Sequence, residues 1–146
     1  MNREIKFRGK TLKQHTIDGK VIPAGTWIYG YYYKYHDSHR IIMPAYLQSQ
    51  IALEVDGETV GQCTDIKDVD GKEIYEGDIV FFKSNINNKY DYKGPIFYEN
   101  GEWRTLPYGD YDYNTMPIAA GIGAHTIYPY VIGNEHDNPR LMMKES

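Results

Sequence analysis

The sequence predicts a mostly β chain, a small antiparallel β domain with only a minor helix near its end. Three observations carry this. Four dipeptides, Asp18-Gly19, Asp56-Gly57, Asp70-Gly71 and Asn100-Gly101, sit between apolar or alternating runs. Each suits a tight turn whose central residues need positive φ. Residues 27–35 alternate strictly, with a ring at every second position, which is the period of a strand. No segment sustains the 3.6-residue apolar period of an amphipathic helix.

The elements follow in order. Around Asp18-Gly19, Ile17 is answered by Val21 and Ile22, as in a hairpin. Residues 27–35 place Trp27, Tyr29, Tyr31, Tyr33 and Tyr35 on one face and Ile28, Gly30, Tyr32 and Lys34 on the other. Residues 35–40 read as a polar turn, and Ile41, Ile42 and Met43 as a short strand. Residues 45–53 fit a short helix or a strand equally. Val55 is answered by Val60 across Asp56-Gly57, and Tyr98 by Trp103 across Asn100-Gly101. Ile79-Val80-Phe81-Phe82 is a continuous apolar run after Gly77-Asp78, the pattern of a strand buried on both faces. Residues 84–94, rich in Asn and Lys, and residues 107–114, with tyrosines among turn formers, read as loops. Gly121-Ile122-Gly123 suggests a bulge or close strand packing, and residues 128–132 a last strand. Asn138-Pro139 resembles a helix cap followed by proline at the first helical position.

A chain of 146 residues is long enough for one domain or for two small ones sharing a core. We place a soft boundary between an N-terminal β-rich region, 1–59, and a second region, 60–146. Cys63 is the sole cysteine, so no internal disulfide forms, and a reducing, cytoplasmic setting in a host cell is expected. The charged start lacks the apolar stretch of a signal peptide. No apolar run approaches the roughly 20 residues of a membrane helix, so no membrane partner is expected. The formal net charge is −4, with Lys and Arg scattered singly among acids. Counterion release normally drives phosphate-backbone binding through a basic face, so a nucleic-acid partner is disfavoured. Tyrosine is abundant, 15 residues, and it suits both strands and interfaces.

Three blocks carry a family resemblance. Arg3-Glu4-Ile5-Lys6-Phe7-Arg8-Gly9-Lys10 is followed by Trp27-Ile28-Tyr29-Gly30. Val60-Gly61-Gln62-Cys63-Thr64 leads to Asp70-Gly71-Lys72-Glu73-Ile74-Tyr75-Glu76-Gly77-Asp78-Ile79-Val80. Val131-Ile132-Gly133-Asn134 and Asn138-Pro139 close the chain. In order and spacing these resemble the YopX family of phage and prophage proteins. The resemblance implies phage or prophage origin and an SH3-type small barrel beginning near Val60. It implies no activity and no cofactor. Two departures stand out: Asp65 occupies a position where the family usually carries Gly, and Glu135-His136-Asp137 replaces a more apolar stretch.

Structural roles account for the remaining motifs better than chemical ones. Glu73, Glu76 and Asp78 could form a carboxylate site if burial separated their pKa values, but turns at Asp70-Gly71 and Gly77-Asp78 leading to a buried strand explain them better. Asp68-Val69-Asp70-Gly71 resembles part of an EF-hand loop, yet Ile66 and Gly77 stand where that loop needs acids. His36 and His39 with Asp37 between them lack a third metal ligand of known spacing. His15, His125 and His136 are isolated. Gly121-Ile122-Gly123 lacks the spacing and lysine of a P-loop.

For the aromatic face of residues 27–35 three readings compete. A chain poor in Leu and Phe needs tyrosines in its core, and core filling is preferred. A protein interface and a single-stranded nucleic-acid platform follow. The sequence thus leads to a non-enzymatic phage accessory protein acting through protein–protein contact, with a phage or host protein as partner or as a homo-oligomer. Its candidate surface residues are Trp27, Tyr29, Tyr31, Tyr33, Tyr35, Tyr108, Tyr111 and Tyr113. A single-stranded nucleic-acid-binding small barrel is the alternative, and an enzyme on a small substrate a distant third.

Overall fold

The computed structural model describes residues 4–43 and 50–144. The chain divides into two compact units, Met1–Cys63 and Thr64–Ser146, both built of antiparallel strands.

The first unit contains β1 (Phe7–Lys10), β2 (His15–Ile17), β3 (Lys20–Ile22), β4 (Trp27–Tyr35), β5 (Ser38–Met43) and β6 (Ile51–Val55). The sheet runs β6-β5-β4-β1, and β7 (Gly61–Lys67), inside which the unit boundary falls, begins against β1 with Phe7 opposite Gln62. The Asp18-Gly19 turn forms as expected, with φ of 53° and 78° joining β2 to β3. The turn between β4 and β5 is His36-Asp37, with His36 at φ 53° and Tyr35 opposite Ser38. Of the ambiguous residues 45–53, residues 45–49 lie outside the described residues, and Ile51 to Leu53 are strand.

The expected hairpin at Asp56-Gly57 does not form. Instead the Asp56 side chain accepts a hydrogen bond from the Glu58 N–H at 3.0 Å and caps the 3₁₀ turn Gly57–Thr59. Gly57 lies against His39, whose ring a Cβ would overlap. That close approach, not a positive φ, is what requires glycine there.

The first sheet curls. Just past β1, Thr11 bridges Val55 at the end of β6, Leu12 N–H donates to Glu54 O at 3.2 Å, and Asp56 N–H donates to Lys10 O at 2.8 Å. The concave side buries Ile28, Ile41, Leu53 and Val55, with Phe7 and Tyr32 packed against them. Each such aliphatic side chain contributes about 1.5–3 kcal/mol on burial. Aliphatic residues therefore fill this core. The expectation that the ring-bearing face of residues 27–35 fills it is overturned: Ile28 and Tyr32, from the opposite face of β4, do so.

The second unit contains the rest of β7, then β8 (Glu73–Tyr75), β9 (Asp78–Ser84), β10 (Tyr92–Glu99), β11 (Glu102–Thr105), β12 (Met116–Pro117), a single helical turn α1 (Ala119–Gly123) and β13 (Ile127–Asn134). Its sheet runs β12-β11-β10-β9-β13 and, among the described residues, does not close. The SH3-type barrel expected here is thus drawn by the strand pairing only as an open antiparallel sheet. The core is Ile74, Val80, Phe82, Ile96 and Ile118. As the apolar run implies, β9 is an inner strand buried on both faces, with Ile79, Val80 and Phe82 fully buried.

Local predictions fare unevenly. Asn100 and Gly101, at φ 54° and 83°, turn β10 into β11, and Tyr98 sits opposite Trp103 with ring centroids 5.1 Å apart. Asp65, in the family's glycine position, adopts φ 64°, a left-handed conformation that Asp tolerates better than most side chains. The loop expected over 84–94 is shorter, because Tyr92, Lys93 and Gly94 pair with Phe82, Phe81 and Val80. Gly121 and Gly123 lie in α1, not in a strand or bulge. The close packing anticipated for Gly121 is present all the same, since a Cβ would meet Ile127 at 3.0 Å. After Asn138 a 3₁₀ turn, Pro139–Met142, forms, but the Asn138 side chain does not cap it; its Oδ1 accepts from Asn134 N–H at 3.3 Å.

Candidate functional site

The outward face of β4 is the principal candidate. Strand alternation sends Ile28 and Tyr32 inward and leaves Tyr29, Tyr31 and Tyr35 48%, 53% and 58% exposed, with Trp27 and Tyr33 half-buried. β4 is an inner strand of its sheet, so its neighbours frame the row of rings. Residues directly opposite in an antiparallel pair share a face. On one side Arg8 stands opposite Tyr29 and Lys10 opposite Trp27; on the other, Ile42 stands opposite Tyr31, Arg40 opposite Tyr33 and Ser38 opposite Tyr35. Gly30 lets β5 approach, because a Cβ there would overlap the Ile42 carbonyl oxygen.

Cations dress the rings. The Arg8 guanidinium lies 4.6 Å and the Lys10 ammonium 5.5 Å from the Trp27 centroid, and the Arg40 guanidinium lies 6.0 Å from that of Tyr35. Such contacts contribute about 0.5–1 kcal/mol at exposed sites and about 2 where the cation is desolvated, as at the buried Arg8. At the Tyr35 end, Ser38 Oγ donates to Glu54 Oε2 at 2.6 Å and accepts from Arg40 Nε at 3.1 Å. The Ser38 hydrogen bond, with Lys13 and Arg40 nearby, holds the Glu54 carboxyl below its usual range. The face is therefore an aromatic row with an ordered polar rim. These cations were not among the residues singled out from the sequence; the alternation of Lys6, Arg8 and Lys10 one strand away was the available signal.

Tyr108, Tyr111 and Tyr113 belong to the second unit. Tyr108 adopts φ 58° and ψ 16°, an unusual conformation for a bulky residue. Its ring lies 5.7 Å from that of Tyr113, and Lys144 Nζ donates to Tyr113 Oη at 3.1 Å while sitting 5.4 Å from the Tyr108 ring centroid. That hydrogen bond is the main reason the Lys144 pKa lies above its ordinary value. Tyr111 is 93% exposed. The eight candidates thus separate into five on one strand and three on one loop.

The acidic block has structural employment. Asp68 Oδ1 accepts from the N–H groups of Asp70 and Lys72 at 3.0 and 2.9 Å, shaping the Asp70-Gly71 turn, and its Oδ2 accepts from Val131 N–H at 3.1 Å. Asp78, 2% exposed, accepts from Tyr75 N–H at 2.7 Å. Glu73 accepts from the Tyr75 hydroxyl at 3.4 Å. Gly77, at φ 90°, donates to Ile96 O and accepts from Glu135 N–H, both at 2.8 Å. These bonds tie the block into the second sheet.

The histidine pair is split. His36 occupies the β4–β5 turn with its ring edge-on to Tyr35 at 4.4 Å, whereas His39 Nδ1 shares a 2.6 Å hydrogen bond with the Tyr32 hydroxyl. Among the described residues no group of three or more His, Cys, Asp or Glu side chains gathers as a metal would require. No helix among them is long and apolar enough to cross a membrane.

No curated protein matches the chain. The family model described as YopX protein matches residues 21–143, a span containing β4, the acidic block and the closing Asn138-Pro139 motif. The chain belongs to the YopX family.

Proposed function

We propose that this is a non-enzymatic phage or prophage accessory protein that acts through protein–protein contact, with the outward face of β4 as its contact surface and a second copy of the chain as its first partner. The observation that carries the reading is the row of Tyr29, Tyr31, Tyr33 and Tyr35 left outward on an inner strand whose other face already fills the core. Isolated exposed rings are ordinary; four at every second position of one strand make a continuous amphipathic surface. Tyrosine offers large contact area at little conformational cost, and the Ser38–Glu54–Arg40 network supplies a polar rim. A C2 pairing would place the face on itself. The small-barrel reading of the second unit belongs to the same proposal. It is supported by the turn at Asp68, whose neighbour Val69 donates to Pro129 O of β13 at 3.0 Å.

Native mass spectrometry across a concentration series tests this. A dimer or higher oligomer that reverts to monomer in the Tyr29→Ser/Tyr31→Ser/Tyr35→Ser variant is expected. A strict monomer whose partners in a prophage-induced lysate are retained by that variant removes the reading.

Single-stranded nucleic-acid binding is the second reading, favoured by the Arg8, Lys10 and Arg40 contacts to Trp27 and Tyr35. Base stacking on such rings is worth about 1–3 kcal/mol per base. Binding of labelled single strands that weakens steeply with salt supports it; absence of binding at low salt ends it.

A further inference from the structure

We propose that the second unit holds a binding site for a small planar aromatic anion, in a cavity lined by the rings of Phe81, Tyr92 and Tyr108 and by the side chains of Lys93 and Lys144. The site stands on other residues than the β4 face, so it is independent of the contact surface proposed above. Its volume is about 540 Å³, within the roughly 300–1,000 Å³ of small-molecule sites.

The sequence builds it from three segments. β9 and β10 pair with Phe81 opposite Lys93 and Phe82 opposite Tyr92, which puts a ring and a cation side by side at the wall. The third ring, Tyr108, comes from the 3₁₀ turn Pro107–Gly109 and is held there by a backbone in the left-handed region. A tyrosine in that conformation costs free energy of about 1–3 kcal/mol and persists only where its surroundings impose it, as at active sites, ligand clamps and switch regions. Here the Tyr108 hydroxyl reaches Asp91 O at 3.4 Å, and Lys144 sits across its ring.

Charge selects the occupant. Among the described residues Asp91 is the one acidic side chain at the wall, and its Oδ1 already accepts from Ser84 N–H at 2.8 Å. Two lysines against the one lining carboxylate, with Asp110 acting on Lys144 from outside the wall, leave the lining itself positive in a chain of formal net charge −4. Burial also keeps the Tyr92 hydroxyl protonated well above neutrality, so it adds no negative charge. The Phe81 ring, with the side of Tyr92 turned away from its stacking partner Phe82 and the Tyr108 ring under Lys144, favours a flat π-system, and the lysines favour a phosphate or carboxylate on it. Such an anion can come from a nucleotide or from a free aromatic acid, which share this chemistry.

Isothermal titration of the full chain with adenosine 5′-monophosphate, adenosine and indole-3-acetate tests the site. One-site binding of at least one of the two anions is expected, with neutral adenosine weaker. Lys93→Gln and Lys144→Gln should each weaken it about fivefold, as loss of a partly exposed charge pair does. Lys20→Gln, a charge removed from the β2–β3 hairpin, should leave it unchanged. Binding of the nucleotide alone, or of the aromatic acid alone, names the source. The proposal is overturned if neither anion binds at millimolar concentration, if adenosine binds as tightly as its monophosphate and indole-3-acetate fails to bind, or if both folded lysine variants bind like the wild type. Should Lys144→Gln fail to fold, Lys93→Gln carries the test alone.

Discussion

Replacing Asp68 with alanine should unfold the second unit far more readily than its place in a surface turn suggests. The side chain is 8% exposed and accepts three backbone hydrogen bonds, from Asp70, Lys72 and Val131 at 3.0, 2.9 and 3.1 Å. The first two shape the β7–β8 turn; the third, 63 residues away in sequence, ties that turn to β13. A hydrogen bond to a charged acceptor contributes about 1.5–3 kcal/mol, and bonds sharing one carboxylate are not additive. A loss of about 3–5 kcal/mol follows for Asp68→Ala. Asp68→Asn keeps one acceptor oxygen but directs its NH₂ at donors, and should lose about 1–3 kcal/mol. Trp103 reports the second unit, and Trp27→Phe silences the only other indole. Urea unfolding followed by Trp103 fluorescence in that background should show the midpoint falling by about 2–3 M for Asp68→Ala, given a slope near 1.5 kcal/mol/M. A loss below about 1 kcal/mol for alanine, or equal losses for Ala and Asn, would refute the claim that this carboxylate organises the unit.

Further outcomes follow from other positions. Gly30→Ala should destabilise the first unit by about 1–3 kcal/mol, because its Cβ would overlap the backbone carbonyl of Ile42; a thermal melt unchanged from wild type contradicts the close β4–β5 approach. Burial raises the Tyr92 pKa from 10.0 to about 12, so the stability this favours is complete below pH 10 and disappears as pH rises towards 12. Phenolate absorbance should show one tyrosine titrating late, a feature that Tyr92→Phe removes. The folded-state pKa of Glu54 is lowered from 4.5, chiefly by the Ser38 hydroxyl, so its contribution is present above pH 4.5 and is lost as pH falls through the lowered value; Ser38→Ala should shift that carboxyl back upward in a ¹³C NMR titration. The Tyr29→Ser/Tyr31→Ser/Tyr35→Ser variant should change stability by no more than about 0.5 kcal/mol per site while abolishing self-association, and a large drop in Tm would return those rings to a structural role.

Local chemistry decided what the sequence could reveal. Asp18-Gly19 and Asn100-Gly101 turn as predicted because both residues of each pair accept positive φ, and residues 27–35 form β4 because alternation is a property of the strand itself. The burial of β9 on both faces is written in its uninterrupted apolar run. The acidic block sits in turns, as its glycines implied, although the bond that ties neighbouring Asp68 to β13, from Val131 N–H, lies beyond any local pattern.

What alternation leaves open is which face meets the core. The two faces of residues 27–35 carry Trp27 and four tyrosines on one side and Ile28, Gly30, Tyr32 and Lys34 on the other, and composition favoured burying the rings. Only the curl of the sheet, fixed where Thr11 bridges Val55, set Ile41, Leu53 and Val55 beneath Ile28 and left the tyrosines outside. For the same reason Asp56-Gly57, a hairpin by its letters, became a capped 3₁₀ turn under His39. Lys93, Tyr108 and Lys144 came to line one cavity through pairings spread over half the chain. Turn and strand are decided by φ, ψ and period within a few residues. Face, register and cavity are decided by contacts between segments far apart, which no short stretch of sequence encodes.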